Sequence, residues 1–357
     1  MRILITGGAG FIGSHLVDFH LRRGDRVVAV DDLSTGNAAN IRQHADNPSF
    51  RFVHADLLTW DGLEAAVAEA DRIYNMAAVV GMFRVLQQPV ETTRVNTFGC
   101  ERVLHAVVAA GHKPQVVQPS SSSVYGPARY EDLHEDAPIT VSPDAPLMQY
   151  ALSKFSNEAQ GRAYHEKHGI SIVIARLFNT AGLRQAGLYG YVLPRFVQQA
   201  IAGEPLTVFG DGMQTRSFCD VRDTVAMLDR LAATPAAWGK VVNVGNAQEI
   251  RILDLANMVR ARTGSNSPVT FVSYEQAYGK SFAQIPQRRP ILTRLHDLIG
   301  YRHQWPLEGT VDWLYEHYRS AAQHANALNL AQPQSHVAPP RPTMAPLGAG
   351  LQLSAVG

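Results

Sequence analysis

The sequence predicts an α/β protein: a doubly wound parallel sheet followed by a smaller, looser C-terminal lobe. Two observations carry the sheet. Short apolar runs at Ile3–Ile5, Arg26–Val30, Arg51–His54, Arg72–Asn75, Gln115–Gln118 and Ser171–Ala175 read as buried strands. Amphipathic stretches at about Phe11–Arg23, Leu63–Glu69, Val90–Ala110 and Gln149–His168 lie between them and read as helices. Strands joined through helices require crossover connections, and these make the sheet parallel. A third observation carries the lobe. After residue 178 the rhythm loosens, and Pro194, Pro205 and several glycines punctuate shorter elements.

The first strand runs into Thr6-Gly7-Gly8-Ala9-Gly10-Phe11-Ile12-Gly13, a G-x-x-G-x-x-G turn that opens the first helix. Gly7 permits a tight exit from the strand, Gly10 lets the backbone approach a pyrophosphate, and Gly13 lets the helix lie close on the sheet. The unpaired N–H groups and the dipole of the helix N-terminus favour that anion. Alone, such a turn is weak evidence of a ligand. Its place between the first strand and the first helix makes it a Rossmann-type dinucleotide site. The second strand ends in Asp31, 18 residues after Gly13. A carboxylate there accepts hydrogen bonds from the adenosine ribose and repels a 2′-phosphate. No Arg follows it immediately, so NAD is expected rather than NADP.

Two further segments carry candidate chemistry. The strand ending at Gln118 leads into Ser120-Ser121-Ser122-Ser123-Val124-Tyr125-Gly126 at the carboxyl edge of the sheet, where ligands of such folds bind. Tyr150 and Lys154 stand four apart on a predicted helix and therefore share one face. An ammonium beside a phenol, near a cationic nicotinamide, lowers the phenol pKa and makes a general base. Either segment alone has a plain explanation, a serine-rich loop or an exposed helix face.

Together these motifs resemble the extended short-chain dehydrogenase/reductases that act on nucleotide sugars, from residue 2 to about 320. The resemblance implies catalytic roles for Ser121, Tyr150 and Lys154. It implies that Asp56 and Leu57 contact adenine, and it places Ala77 and Asn96 on the cofactor side. Asn75 stands where the family usually has His. In the distal half, Asn179 of Arg176-Leu177-Phe178-Asn179 corresponds to the Asn that contacts the substrate diphosphate. Val208 and Phe209 lie in the strand that carries the nucleobase by its backbone. Arg216 and Arg288 correspond to the arginines that grip the diphosphate, with Gln284 where an Asp is common. Guanidinium forks suit phosphate oxygens, and a chain of net charge +1 must hold a diphosphate with local cations.

The resemblance also narrows the reaction. Dehydratases of the family follow the catalytic Ser/Thr with Asp-Glu, and UDP-glucuronate decarboxylases usually place Glu at the second position. Here Ser122 and Ser123 stand there, and hydroxyls are poor general acids and bases. The expected activity is therefore 4-epimerisation of a UDP-sugar, UDP-glucose or UDP-glucuronate, through a transient 4-keto sugar. A decarboxylase or 4,6-dehydratase is the alternative, and a non-catalytic NAD-binding protein the remote one. Gly81 and its neighbours are expected to line the sugar site together with Ser122, Ser123, Thr180 and Arg184. Arg184 is a candidate anchor for a C6 carboxylate, or equally an arginine on a loop rim.

Composition limits the remaining possibilities. Near-neutral charge leaves no electrostatic footprint for nucleic acid or an anionic membrane. No apolar run approaches a membrane span, and Cys100 and Cys219 lack metal-ligand spacing. A cytoplasmic enzyme with free thiols is expected. The expected organisation is residues 1–178 for NAD and the catalytic side chains, 179–325 mainly for the nucleotide sugar, and a disordered proline-rich tail over 331–357. Extra apolar positions on the helices near Val90–Ala110 and Gln149–His168 correspond to a family dimer interface, so a homodimer is expected.

Overall fold

The computed structural model describes residues 1–126, 133–139, 148–185, 191–278 and 285–331. The tail beyond 331 and Gln284 lie outside them. In chain order the first half contains β1 (Arg2–Thr6), α1 (Phe11–Arg22), β2 (Arg26–Asp31), β3 (Phe50–His54), α2 (Leu63–Glu69) and β4 (Arg72–Asn75). These are followed by α3 (Met82–Gln87), α4 (Pro89–Ala109), β5 (Gln115–Ser121), α5 (Met148–His168) and β6 (Ser171–Leu177). The second half contains β7 (Thr180–Ala181), α6 (Val192–Ala202), β8 (Leu206–Phe209), β9 (Thr215–Ser217), β10 (Cys219–Asp220), α7 (Val221–Ala232) and β11 (Val241–Val244). It closes with β12 (Glu249–Arg251), α8 (Ile252–Thr263), β13 (Val269–Val272), α9 (Tyr274–Tyr278), α10 (Thr293–Ile299) and α11 (Leu307–Ala331). Residues Met1–Arg319 form one compact unit, and a second unit begins at Ser320.

The six strands expected from the apolar runs, joined by β11, assemble into a seven-stranded parallel sheet of order β11-β6-β5-β4-β1-β2-β3. The chain winds one way from β1 to β3 and the other way from β4 to β6. The order therefore reverses between β1 and β4, and their carboxyl ends open the crevice where ligands of such sheets bind. Side-chain alternation assigns the faces. Ile3 and Ile5 enter the core under α1 and α7, whereas Leu4 enters the core under α2 and α4. Each such buried aliphatic side chain contributes about 1.5–3 kcal/mol. A separate core built on α6, β8, α8 and α11 unites Phe196, Val208, Leu255, Val259 and Leu314.

Two buried polar networks set the crevice floor. Thr6 donates to Asn75 Oδ1 at 2.8 Å, and Asn75 Nδ2 donates to Gln118 Oε1 at 2.8 Å. Asn75, the departure from the family pattern, is thus fully engaged across three neighbouring strands. Beneath the end of β5, Arg176 binds both carboxylate oxygens of Glu158 at 2.8 and 2.7 Å, and Ser120 donates to the same carboxylate at 2.5 Å. Among the described residues no helix is long and apolar enough to cross a membrane, and no group of His, Cys, Asp and Glu is arranged to hold a metal ion.

Candidate active site

A cavity of about 650 Å³ opens along the carboxyl edge of the sheet. Its wall includes Gly7, Gly10, Phe11, Ile12, Gly13, Asp31, Asp56, Leu57 and Ala77 on the side of the glycine turn. Ser121, Ser122, Ser123, Tyr150 and Lys154 lie at its centre. Gly81, Asn179, Thr180, Arg184, Phe209, Arg216 and Arg288 complete it. Residues from both halves of the sequence thus converge on one space. Two of the expected residues do not line it with their side chains. Val208 is fully buried in the core under α6 and α8, because strand alternation sends its side chain opposite to that of Phe209. Asn96 sits behind the wall and clamps Val79, accepting from its N–H at 2.7 Å and donating to its carbonyl at 3.1 Å.

The glycine turn closes as its composition requires. Gly7 has φ +65°, and a Cβ there would lie 2.8 Å from the Ala77 nitrogen. A Cβ at Gly13 would lie 2.1 Å from the Gly7 carbonyl oxygen. Gly10 caps α1 and, having no side chain, makes no side-chain cap of its own at the start of this helix. Asp31 accepts from the Ala9 and Leu33 N–H groups at 3.0 and 2.8 Å. Burial dominates its titration and pushes the carboxyl above its ordinary value.

At the centre, β5 runs three residues further than its apolar pattern and ends on Ser121. The Ser121 hydroxyl caps the short helical turn Ser122–Tyr125 by accepting from the Ser123 N–H at 3.1 Å, and it shares a hydrogen bond with Tyr150. Tyr150 lies in the first turn of α5, where the helix dipole favours a phenolate. Burial opposes this and raises its pKa, and the Ser121 hydrogen bond works the other way. Lys154 follows one turn later, its ammonium 5.9 Å from the Tyr150 ring centre and donating to the Pro119 carbonyl at 3.4 Å. Burial pulls its pKa down to about 8. The ammonium, and any further positive charge placed beside the ring, would favour the phenolate.

At the far end Arg216 and Arg288 both line the cavity. Burial and the nearby Arg216 push the Arg288 pKa down to about 10, so Arg288 still carries its charge at neutral pH. Like charges converging in a cleft are stabilised by an anion placed between them. Arg184, in contrast, is engaged by Asp18 on α1 at 2.7 Å. Among the wall residues that sequence reasoning did not single out are Arg195, stacked 4.1 Å over the Phe209 ring, Gln214, and Tyr274, packed on Gly210. The alternation of Gln214 with Arg216 along an extended segment was the available signal.

The model of the NAD dependent epimerase/dehydratase family matches residues 3–245. The chain belongs to this family. UDP-glucuronic acid decarboxylase 1 of Xenopus tropicalis is 32% identical over 339 residues, covering 93% of this chain and 76% of that protein. Among solved structures, the UDP-glucuronic acid 4-epimerase of Bacillus cereus in complex with NAD is 28% identical with a TM-score of 0.77, covering 90% of this chain and 99% of that one. The UDP-N-acetylglucosamine 4-epimerase of Methanobrevibacter ruminantium is 26% identical with a TM-score of 0.81, covering 90% and 98%. The family's cofactor is NAD, and the site fits it. The side of Gly10 that a Cβ would occupy meets only the Gly7 carbonyl oxygen, at 3.1 Å, which leaves a cradle for a pyrophosphate. Asp31, on the cavity wall at the end of β2, offers a carboxylate of the kind that suits ribose hydroxyls and disfavours a 2′-phosphate.

Proposed function

We propose that this family member is a UDP-sugar 4-epimerase, with residues 1–178 holding NAD and the catalytic side chains and 179–325 holding most of the nucleotide sugar. Tyr150 takes the proton of the sugar C4 hydroxyl while Ser121 orients that oxygen, and Lys154 holds positive charge beneath the phenol. When bound, NAD supplies a reversible two-electron acceptor and a positive ring that favours the phenolate. The 4-keto sugar turns within the cavity, is reduced on its other face, and recovers its proton from Tyr150. Arg216 and Arg288 hold the diphosphate, joined by Asn179.

One observation carries this reading. Among the described wall residues the carboxylates are Asp31, Asp32, Asp56 and Glu91, which gather on the side of the glycine turn, and Ser121 is followed by Ser122 and Ser123. Elimination of water needs an additional acid and base beside the reacting carbons, whereas epimerisation needs none. Decarboxylation of UDP-glucuronate is the second reading, favoured by the name of the Xenopus tropicalis relative. A 4-keto uronate is a β-keto acid that loses CO2 readily, and Arg184, paired with Asp18 through Nη2 but with a buried unpartnered Nη1, is a wall cation that could meet a C6 carboxylate in either uronate reaction. Incubation with UDP-glucose and with UDP-glucuronate, followed by NMR of the products, tests the choice. A C4-inverted hexose or uronate is expected. A pentose with release of CO2, or a 4-keto-6-deoxy sugar, overturns the epimerase reading.

The homodimer belongs to the same proposal. Val90 and Phe98 on α4 and Leu152 and Phe155 on α5 are large apolar side chains facing solvent, on two helices packed together. An apolar surface spread over two adjacent helices suits a second copy of the chain.

A further inference from the structure

We propose that Gln214 reads the substrate's base, its Oε1 accepting the ring N–H of a uracil-type pyrimidine. The inference rests on the nucleotide-sugar reading above and adds to it a residue that selects the base. Gln214 is only 7% exposed, yet it forms part of the cavity wall beside Phe209 and Arg216. Its Nε2 donates to the Phe209 carbonyl at 2.8 Å. That bond determines which way the amide faces, because the reversed amide would set two carbonyl oxygens against each other. Oε1 therefore points away from Phe209, and it has no hydrogen-bond partner. A buried acceptor without a donor is unfavourable, so this oxygen calls for an N–H from something the cavity admits.

The surroundings indicate which N–H. Strand β8 pairs with β13 on one side, through the bonds of Leu206 and Gly210, and turns the backbone of Thr207 and Phe209 to the other edge. On that edge Gln199 accepts from the Thr207 N–H, Arg195 donates to the Thr207 carbonyl, and Gln214 donates to the Phe209 carbonyl. The Phe209 ring, with the Arg195 guanidinium 4.1 Å over it, adds a flat apolar surface for a heterocycle. Gln214 and Arg216 are two residues apart on an extended segment, so their side chains leave on the same side about 7 Å apart. A ribose spans a similar distance between a base and a diphosphate. An imide N3–H flanked by two carbonyls, as in uracil or thymine, gives Oε1 its donor. Cytosine presents a lone pair at N3, which would face the lone pairs of Oε1.

Calorimetric titration of the NAD-loaded protein with UDP, dTDP, CDP and N3-methyl-UDP tests this, on the wild type and on Gln214→Met, which removes the acceptor while keeping the volume. The wild type is expected to bind UDP and dTDP at least tenfold more tightly than CDP or N3-methyl-UDP. In Gln214→Met, UDP should fall to the level of CDP while CDP changes less than threefold. Equal loss for UDP and CDP would show that Gln214 only braces Phe209, and would overturn the proposal. So would wild-type affinity for N3-methyl-UDP equal to that for UDP, a measurement that does not depend on the variant folding. Failure to bind any nucleoside diphosphate removes the nucleotide-sugar reading and this one together. UDP binding without base preference removes only this one.

Discussion

The Lys154 ammonium lies 5.9 Å from the Tyr150 ring centre, on the same face of α5, yet donates to the Pro119 carbonyl. The lysine therefore acts on the tyrosine through space and by anchoring α5 to the end of β5, and the Ser121 hydroxyl is the group that touches the phenol. Tyr150→Phe should lower turnover by about 10²–10⁴-fold, the usual worth of a positioned general base. NAD content should stay unchanged. Product formation followed by NMR, with NAD measured after acid release, checks both.

Burial of the Lys154 ammonium carries a stability cost. Its folded pKa of about 8 lies below the ordinary 10.5, so between those values the unfolded chain binds more protons and stability rises with pH. Below pH 8 the cost is present in full. Lys154→Met should therefore stabilise the protein at pH 7 by on the order of 3 kcal/mol while abolishing activity. Urea unfolding at pH 7, 8.5 and 9.5 should show this gain shrinking as pH rises; a loss of stability at pH 7 would contradict it.

Asp31 is held by the Ala9 and Leu33 amides, which presents its carboxylate to the cavity in one orientation. Removing a charged hydrogen-bonding group costs about 1.5–3 kcal/mol. Asp31→Ala should weaken NAD roughly 10- to 100-fold, read by equilibrium dialysis. Unaltered retention of NAD would place the ribose elsewhere.

The Glu158–Arg176 pair is almost fully buried, and Arg176 also lies 4.8 Å from the Tyr125 ring centre. Breaking such a pair on one side costs about 3–5 kcal/mol, because the remaining charge has no counterpart. Glu158→Gln should lower stability by that amount. The double variant Glu158→Gln/Arg176→Met should recover part of it, since no lone charge is left behind. Denaturant midpoints of the four proteins complete the cycle.

If the apolar faces of α4 and α5 pair with a second copy, charge placed there must separate the copies. Phe98 is 53% exposed and Phe155 40%. Phe98→Asp/Phe155→Asp should halve the mass seen by light scattering without lowering the unfolding temperature of the monomer. A wild type of monomeric mass would end the dimer proposal.

Much of the framework was legible in the sequence because its causes are local. The apolar runs located six strands of the sheet to within a few residues, and β11 escaped because Val241–Val244 lies beyond the regular alternation. The glycine turn and the Tyr150/Lys154 spacing were readable for the same reason: tight-turn sterics and the helical repeat act over neighbouring residues. Arg184 was not. A guanidinium near a sugar site has no partner until helices pack, and here the carboxylate that claims it is Asp18, in the first helix. Which way two further side chains turn was also left to the fold: Val208, expected to act through its backbone, points into the core, and Asn96 clamps the Val79 backbone behind the wall.

Local chemistry was enough to place the alternating strands and helices of the first half, the parallel sheet, the dinucleotide turn and the candidate hydroxyls, since each follows from a few residues of chain. Packing alone brought Arg216 and Arg288 to one cavity, bound Glu158 to Arg176, and buried the Gln214 amide oxygen without a donor. Those relationships join segments distant in the chain, and burial makes each pairing strong and each vacancy costly.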